Sequence, residues 1–213
     1  MKFLMIDTET TNSIDDPIVY DIGFAVVDEK GKIYEKHSYV VADTFLDEEL
    51  MQYAYFAEKI PQYWIDIKAN KRQLRRFAII KMIIADICKQ YNIEIVVAHN
   101  ARFDYRSLNL TQRFLTSSRF RYFFPYGIKI WDTLKMSKEI FGNKSDYREF
   151  CKSNNYLTKN KQNRYTAEIL YRYLTNNNDF IENHTGLEDV LIEKEIFTFC
   201  MNENPEINGA LWE

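Results

Sequence analysis

The sequence predicts an α/β domain built on a mixed β-sheet, with a three-strand antiparallel meander, parallel strands beside it and helices on both faces. Three observations carry this. An apolar run, Phe3-Leu4-Met5-Ile6, opens the chain as a buried strand. Two further strand patterns follow, joined by a turn signal. The second half then alternates short apolar strands with helical stripes, which implies parallel pairing. A length of 213 residues suits one domain spanning 1–213. At 46% hydrophobic and 28% charged, the chain has ample core material and is not a disordered polyelectrolyte.

Taken in order, the first strand ends in Asp7-Thr8-Glu9-Thr10, and Thr11 to Pro17 reads as a polar turn. Ile18 to Val27 is a long strand, with Ile18, Tyr20, Ile22, Phe24 and Val26 assigned to one face. Asp28-Glu29-Lys30-Gly31-Lys32 is a hairpin turn, and Ile33 to Val41 returns as the third strand. Leu46, Leu50, Tyr53 and Ala57 recur at helical spacing until Pro61 breaks the pattern. Lys71 to Gln90 is expected to be one helix, with its stripe running through Leu74, Phe77, Ile80, Ile84 and Ile87. Ile93 to Ala98 is a short strand, followed by a helix from Asp104 to Leu115. Gly127 to Trp131 is another strand. Helices are expected near Thr133–Phe141, Tyr147–Ser153, Tyr165–Leu174 and Gly186–Met201.

The chemistry gathers at element ends. Asp7 and Glu9 project from the same face of a strand, because side chains alternate. Two adjacent carboxylates there are either solvated or hold a cation, for which oxygen ligands suit Mg²⁺ or Mn²⁺. The strand Ile95-Val96-Val97 ends in Ala98-His99-Asn100-Ala101-Arg102-Phe103-Asp104. Loops beyond the carboxyl ends of strands are where α/β sheets bind ligands, which places Asp104 opposite Asp7 and Glu9. Asp104 also suits a helix N-terminus by complementing the dipole. In His184-Thr185-Gly186-Leu187-Glu188-Asp189, Thr185 and Glu188 form a capping-box pattern. Asp189 shares the buried stripe of Ile192, Ile196 and Cys200, so it needs a partner, either a basic side chain or a metal.

These three motifs together resemble those of the DEDDh 3′–5′ exonuclease family, which includes epsilon-type proofreading subunits and RNase T. The likeness spans Phe3 to Ile196 in order and placement. It implies an RNase H-like fold with Asp7, Glu9, Asp104 and Asp189 holding two divalent ions about 4 Å apart. It implies that His184 is the general base and that nucleoside 5′-monophosphates leave a free 3′ end. Thr10 and Thr11 become candidates for holding the terminal nucleotide, with His99, Asn100 and Phe103 beside them. One departure is Asn12, where many members have Gly. Arg164 to Leu174 resembles a helix that precedes the last motif in phage-type members.

The expected substrate is single-stranded DNA. RNA is the alternative, and an inactive RNase H-like binding module is the alternative of another class. A net charge of −3 does not announce a nucleic-acid partner, so local basic patches must supply the contacts. Two stretches are candidates. Lys68 to Arg76 contains five basic residues, and Arg113 to Tyr126 interleaves three arginines with aromatics suited to base stacking. Cys88, Cys151 and Cys200 fit neither a disulfide framework nor a zinc spacing. With no signal-peptide pattern and no membrane-length apolar run, a cytoplasmic location away from membranes is expected. The sequence names no protein partner.

Overall fold

The computed structural model describes residues 1–12, 15–204, 209, 212 and 213. Six strands form one sheet: β1 (Lys2–Thr11), β2 (Ile18–Asp28), β3 (Ile33–Val41), β4 (Gln73–Arg75), β5 (Ile95–Ala98) and β6 (Lys129–Asp132). Their spatial order is β4-β3-β2-β1-β5-β6. β1, β2 and β3 form the expected antiparallel meander, and β5 and β6 continue the sheet in parallel. The helices are α1 (Ala42–Phe45), α2 (Glu48–Met51), α3 (Ile60–Lys68), α4 (Phe77–Tyr91), α5 (Ala101–Leu115), α6 (Thr133–Gly142), α7 (Ser145–Ser153), α8 (Ala167–Thr175) and α9 (Gly186–Glu203).

The apolar run of β1 explains the layering. Alternate side chains enter opposite cores: Phe3 and Met5 pack with Phe141, Leu170, Val190 and Ile196, while Leu4 and Ile6 pack with Ile80, Ile84 and Leu108. Each such burial contributes about 1.5–3 kcal/mol, and both faces of β1 gain it. The strand is thus held in the middle of the molecule, and its end can carry acids at a fixed place.

Four expectations need correction. The Lys71–Gln90 helix begins only at Phe77, because Gln73–Arg75 pairs in parallel with Tyr39–Val41 as an edge strand. Asp43 accepts the Phe77 N–H at 2.7 Å and sets the new start. Pro61 does not end a helix but occupies the first turn of α3, where its missing N–H costs nothing. In β2, Tyr20 is an extra residue, since Glu9 faces Asp21 while Thr10 faces Val19. That bulge reverses the alternation, so Val19, rather than Ile18 or Tyr20, shares a core with Ile22, Phe24 and Val26. Finally, α5 starts at Ala101, three residues before Asp104, after a left-handed Asn100 (φ 64°). Of the turn after β1, Ser13 and Ile14 lie outside the described residues. Asn12 itself takes φ 68°, the region glycine prefers and asparagine tolerates better than most residues. No helix among the described residues is long and apolar enough to cross a membrane.

Candidate active site

The last helix meets the first strand backbone to backbone. Asp7 pairs with Gly23 across β1 and β2. A Cβ on Gly23 would stand 2.0 Å from the backbone of Gly186 and Leu187, and one on Gly186 would stand 2.5 Å from the Gly23 nitrogen. Two glycines therefore let the start of α9 press onto the sheet beside Asp7. Asp21, fully buried on β2, fastens it there, because its Oδ2 accepts the Gly186 N–H at 2.9 Å and the Tyr63 hydroxyl at 2.7 Å. Arg72 closes the joint, with Nε 3.1 Å from Asp66, Nη2 2.8 Å from Glu188 and Nη1 3.6 Å from Asp21. Glu188 accepts the Thr185 hydroxyl but does not reach back to the backbone as a capping box requires. Asp189 takes the Thr185 N–H instead, at 3.1 Å.

This docking brings carboxylate oxygens of Asp7, Glu9 and Asp189 within 4.8 Å of one another. Asp104 comes from the first turn of α5. Its Oδ1 accepts both the N–H and the hydroxyl of Thr8, at 3.0 and 2.8 Å, which ties α5 to the residue between the two strand acids. All four acids line one open groove of about 1320 Å³. Burial first, and then the neighbouring negative charges, make their ionisation costly. Glu9 is pushed up to about 9, with Asp189 the largest charge acting on it. Asp189 is pushed up to about 8, with Glu182 its main repulsive neighbour. Asp104 rises to about 7 despite the bonds from Thr8, and Asp7 is raised well above the usual range by burial and by Asp104. Asp189 Oδ1 is buried without any protein partner.

His184 stands just before α9 with φ 54° and lines the same groove. Its ring stacks on Phe56 at 4.2 Å and 5°, and Nδ1 lies 3.9 Å from Glu182. Burial pushes its pKa down, so the ring is held neutral.

The remaining candidates divide. Thr10 and Phe103, with Asn100, Tyr55 and Phe56, line a smaller pocket of about 330 Å³ adjoining Glu9. Thr11 does not reach it: its side chain is fully buried and its hydroxyl donates to the Leu50 carbonyl. His99 lines the large groove, yet both ring nitrogens serve the fold. Nε2 donates to the Tyr165 carbonyl at 2.8 Å, and Nδ1 meets the Thr133 hydroxyl at 3.0 Å. Burial keeps that ring neutral as well.

Neither proposed basic stretch lines the groove. Arg72 is consumed by its buried ion pairs. Arg113 to Tyr126 begins at the far end of α5, about 14 Å of helix rise from Asp104. There Phe123 and Phe124 enter the core, while Arg119, Phe120, Arg121 and Tyr122 are exposed. The groove draws its basic residues from elsewhere in the chain. It carries Lys138 of α6, Arg148 and Lys152 of α7, and Lys161 and Arg164 of the segment before α8. These residues are scattered over 27 positions of sequence, so no local charge run betrays them.

No family model and no curated protein matches the sequence. Solved structures do match. Exonuclease I from Methylocaldum szegediense aligns with a TM-score of 0.60 at 13% identity, covering 96% of this chain and 41% of that one. E. coli exonuclease I in complex with a dA16 oligonucleotide gives 0.55 at 14% identity, covering 96% and 41%. This chain has the fold of the matched part of exonuclease I. It spans about two fifths of those exonuclease I chains. The expected mixed sheet flanked by helices is therefore the observed one.

Proposed function

We propose that the chain is a divalent-metal-dependent 3′–5′ exonuclease that shortens single-stranded DNA and releases nucleoside 5′-monophosphates. The observation that carries this reading is the meeting of Asp7, Glu9 and Asp189 within 4.8 Å in a groove that five basic side chains also line. An all-oxygen donor set with an unpartnered buried Asp189 Oδ1 fits Mg²⁺ or Mn²⁺. Asp7, Glu9, Asp104 and Asp189 would hold the two ions. When bound, such ions neutralise developing phosphoryl charge and supply hydroxide near neutral pH.

The chain's own residues account for the rest. His184 accepts the proton of the attacking water, and its lowered pKa keeps it free to do so at neutral pH. Stacking on Phe56 and the proximity of Glu182 hold the ring in place. The small pocket beside Glu9 offers Phe103, Phe56 and Tyr55 to the terminal base, and Thr10 and Asn100 to its sugar. Lys138, Arg148, Lys152, Lys161 and Arg164 would meet the preceding phosphates. A protein of this fold holds a dA16 oligonucleotide, which supports DNA as the substrate.

The test is digestion of 5′-labelled DNA and RNA oligomers of one sequence in Mg²⁺, Mn²⁺ or EDTA. Stepwise shortening of DNA from the 3′ end, abolished by EDTA, is expected. Activity unchanged in EDTA overturns the metal-dependent reading, and faster loss of the RNA reassigns the substrate. Binding of the oligomer without cleavage in either metal would leave a binding module.

A further inference from the structure

α9 brings a further acid to the groove. Glu193 lies one turn beyond Asp189, on the same helix face. It is only 3% exposed and lines the groove with Asp7, Asp104 and Asp189. The backbone N–H of His99 bonds its carboxylate, while Oε2 is buried with no hydrogen-bond partner among the described residues. Among the described residues no lysine or arginine forms an ion pair with it. A carboxylate taken out of water without a counter-charge is a standing cost, and the single His99 N–H offsets only part of it.

Its neighbours divide the acids into two groups. Glu9 and Asp189 stand with Asp7. Asp104 and Glu193 line the same groove but lie outside that 4.8 Å group. Asp104 has Oδ1 committed to Thr8, so its second oxygen is the one left for a ligand.

We infer that Glu193 is a metal ligand: Asp7, Glu9 and Asp189 take one divalent ion, and Asp7, Asp104 and Glu193 take the other. This rests on the metal-dependent reading above and adds to it a carboxylate that the four-acid motif does not contain. A purely structural Glu193 would need only to accept the His99 N–H. Glutamine keeps that acceptor and the side-chain volume while removing the charge, so Glu193→Gln separates the two roles.

The experiment is calorimetric titration of the full chain with Mn²⁺ in saturating thymidine 5′-monophosphate, with the nucleotide's own Mn²⁺ binding subtracted. Thermal melts of each variant check that it is folded. The wild type should bind two ions. In Glu193→Gln one event should keep its affinity and the other weaken by roughly ten- to a hundredfold. Two events of wild-type affinity in the folded variant overturn the inference, as does a single site in the wild type. Absence of any Mn²⁺ binding by the wild type brings down the metal-dependent reading as well. Should Glu193→Gln fail to fold, Glu193→Asp takes its place. Withdrawing the carboxylate by one methylene should weaken the same event several-fold, and an unchanged isotherm overturns the inference.

Discussion

The first turn of α9 lies between two buried clusters of carboxylates, and they are built differently. On one side Asp21, Asp66 and Glu188 surround a buried arginine, Arg72, with Ser38 and Tyr63 completing the hydrogen bonds. On the other side Asp7, Glu9, Asp104, Asp189 and Glu193 share a groove, and no lysine or arginine pairs with them among the described residues. Burial pushes Asp21 upward, but Arg72, the Tyr63 hydroxyl and the Gly186 N–H pull it back. No cation offsets the raised Asp7, Glu9 and Asp189 among the described residues, and of the three only Asp189 is eased, by the Thr185 N–H. The first cluster is complete within the chain and serves the fold. The second has no such counter-charge among the described residues, and the proposed metal-dependent function rests on that difference.

The contrast can be broken from either side. The largest effect belongs to the cation-seeking cluster. Asp7→Asn removes the acid common to both groups, so single-turnover DNA cleavage should fall by about 10³-fold or more, the scale of a lost electrostatic stabiliser. Its melting temperature in EDTA should be unchanged or higher, since a mutual repulsion is relieved. Full activity of Asp7→Asn would sink the mechanism.

His184→Ala should lower kcat by roughly 10²–10⁴-fold while Mn²⁺ affinity stays within a few fold, because the ring acts on a proton rather than on the metal. Loss of Mn²⁺ binding in that variant would make His184 a ligand. The fold-serving cluster responds in the opposite currency. Arg72→Met strands three acids around an apolar side chain and should destabilise the chain by about 3–5 kcal/mol in urea denaturation. A loss below about 1 kcal/mol would show that the network does not hold α9.

The pH dependence of stability sharpens the comparison further. Asp104, Asp189 and Glu9 sit near 7, 8 and 9 in the folded chain, against about 4 when unfolded. Across that window the folded state keeps protons that the unfolded chain has released. Their stabilising contribution is full below about pH 4 and is lost as pH rises through 7 to 9. In EDTA the melting temperature should therefore drop between pH 5 and pH 9, and Mg²⁺ should lessen the drop. A flat profile in EDTA would contradict the shared burden of charge. The smallest effect concerns the basic residues of the groove. Changing Arg148 and Lys152 to Ala should flatten the slope of log K against log salt for single-strand binding by roughly 0.7 per lost phosphate contact. Changing Arg119 and Arg121 should leave that slope alone, and the reverse result would move the strand's path to the end of α5.

What could be read from the sequence was local. Asp7-Thr8-Glu9 announces itself because strand alternation alone puts both acids on one side. Asp104 and Asp189 were placed by the ends of their own strand and helix, and His184 by its position before the last helix. What escaped depends on distant partners. Glu193 sits within a helix whose stripe is otherwise apolar, and its spacing of four from Asp189 was the available signal. β4 is three residues long and exists because β3 offers it an edge, so the stripe that includes Leu74 pointed to a helix. The basic lining is assembled from α6, α7 and a loop that meet only on folding. Gly23, the one glycine of β2, is the sign that another backbone approaches.

That approach has a mechanical consequence. Between Gly23 and Gly186 there is no side chain to compress, rotate or slide, so the joint has no clearance. A displacement of β2 at this point would therefore press directly on the first turn of α9, the helix that carries Asp189 and Glu193. The acids' alignment is thus gauged by a hard stop of main chain on main chain, a tolerance far narrower than side-chain packing alone would set.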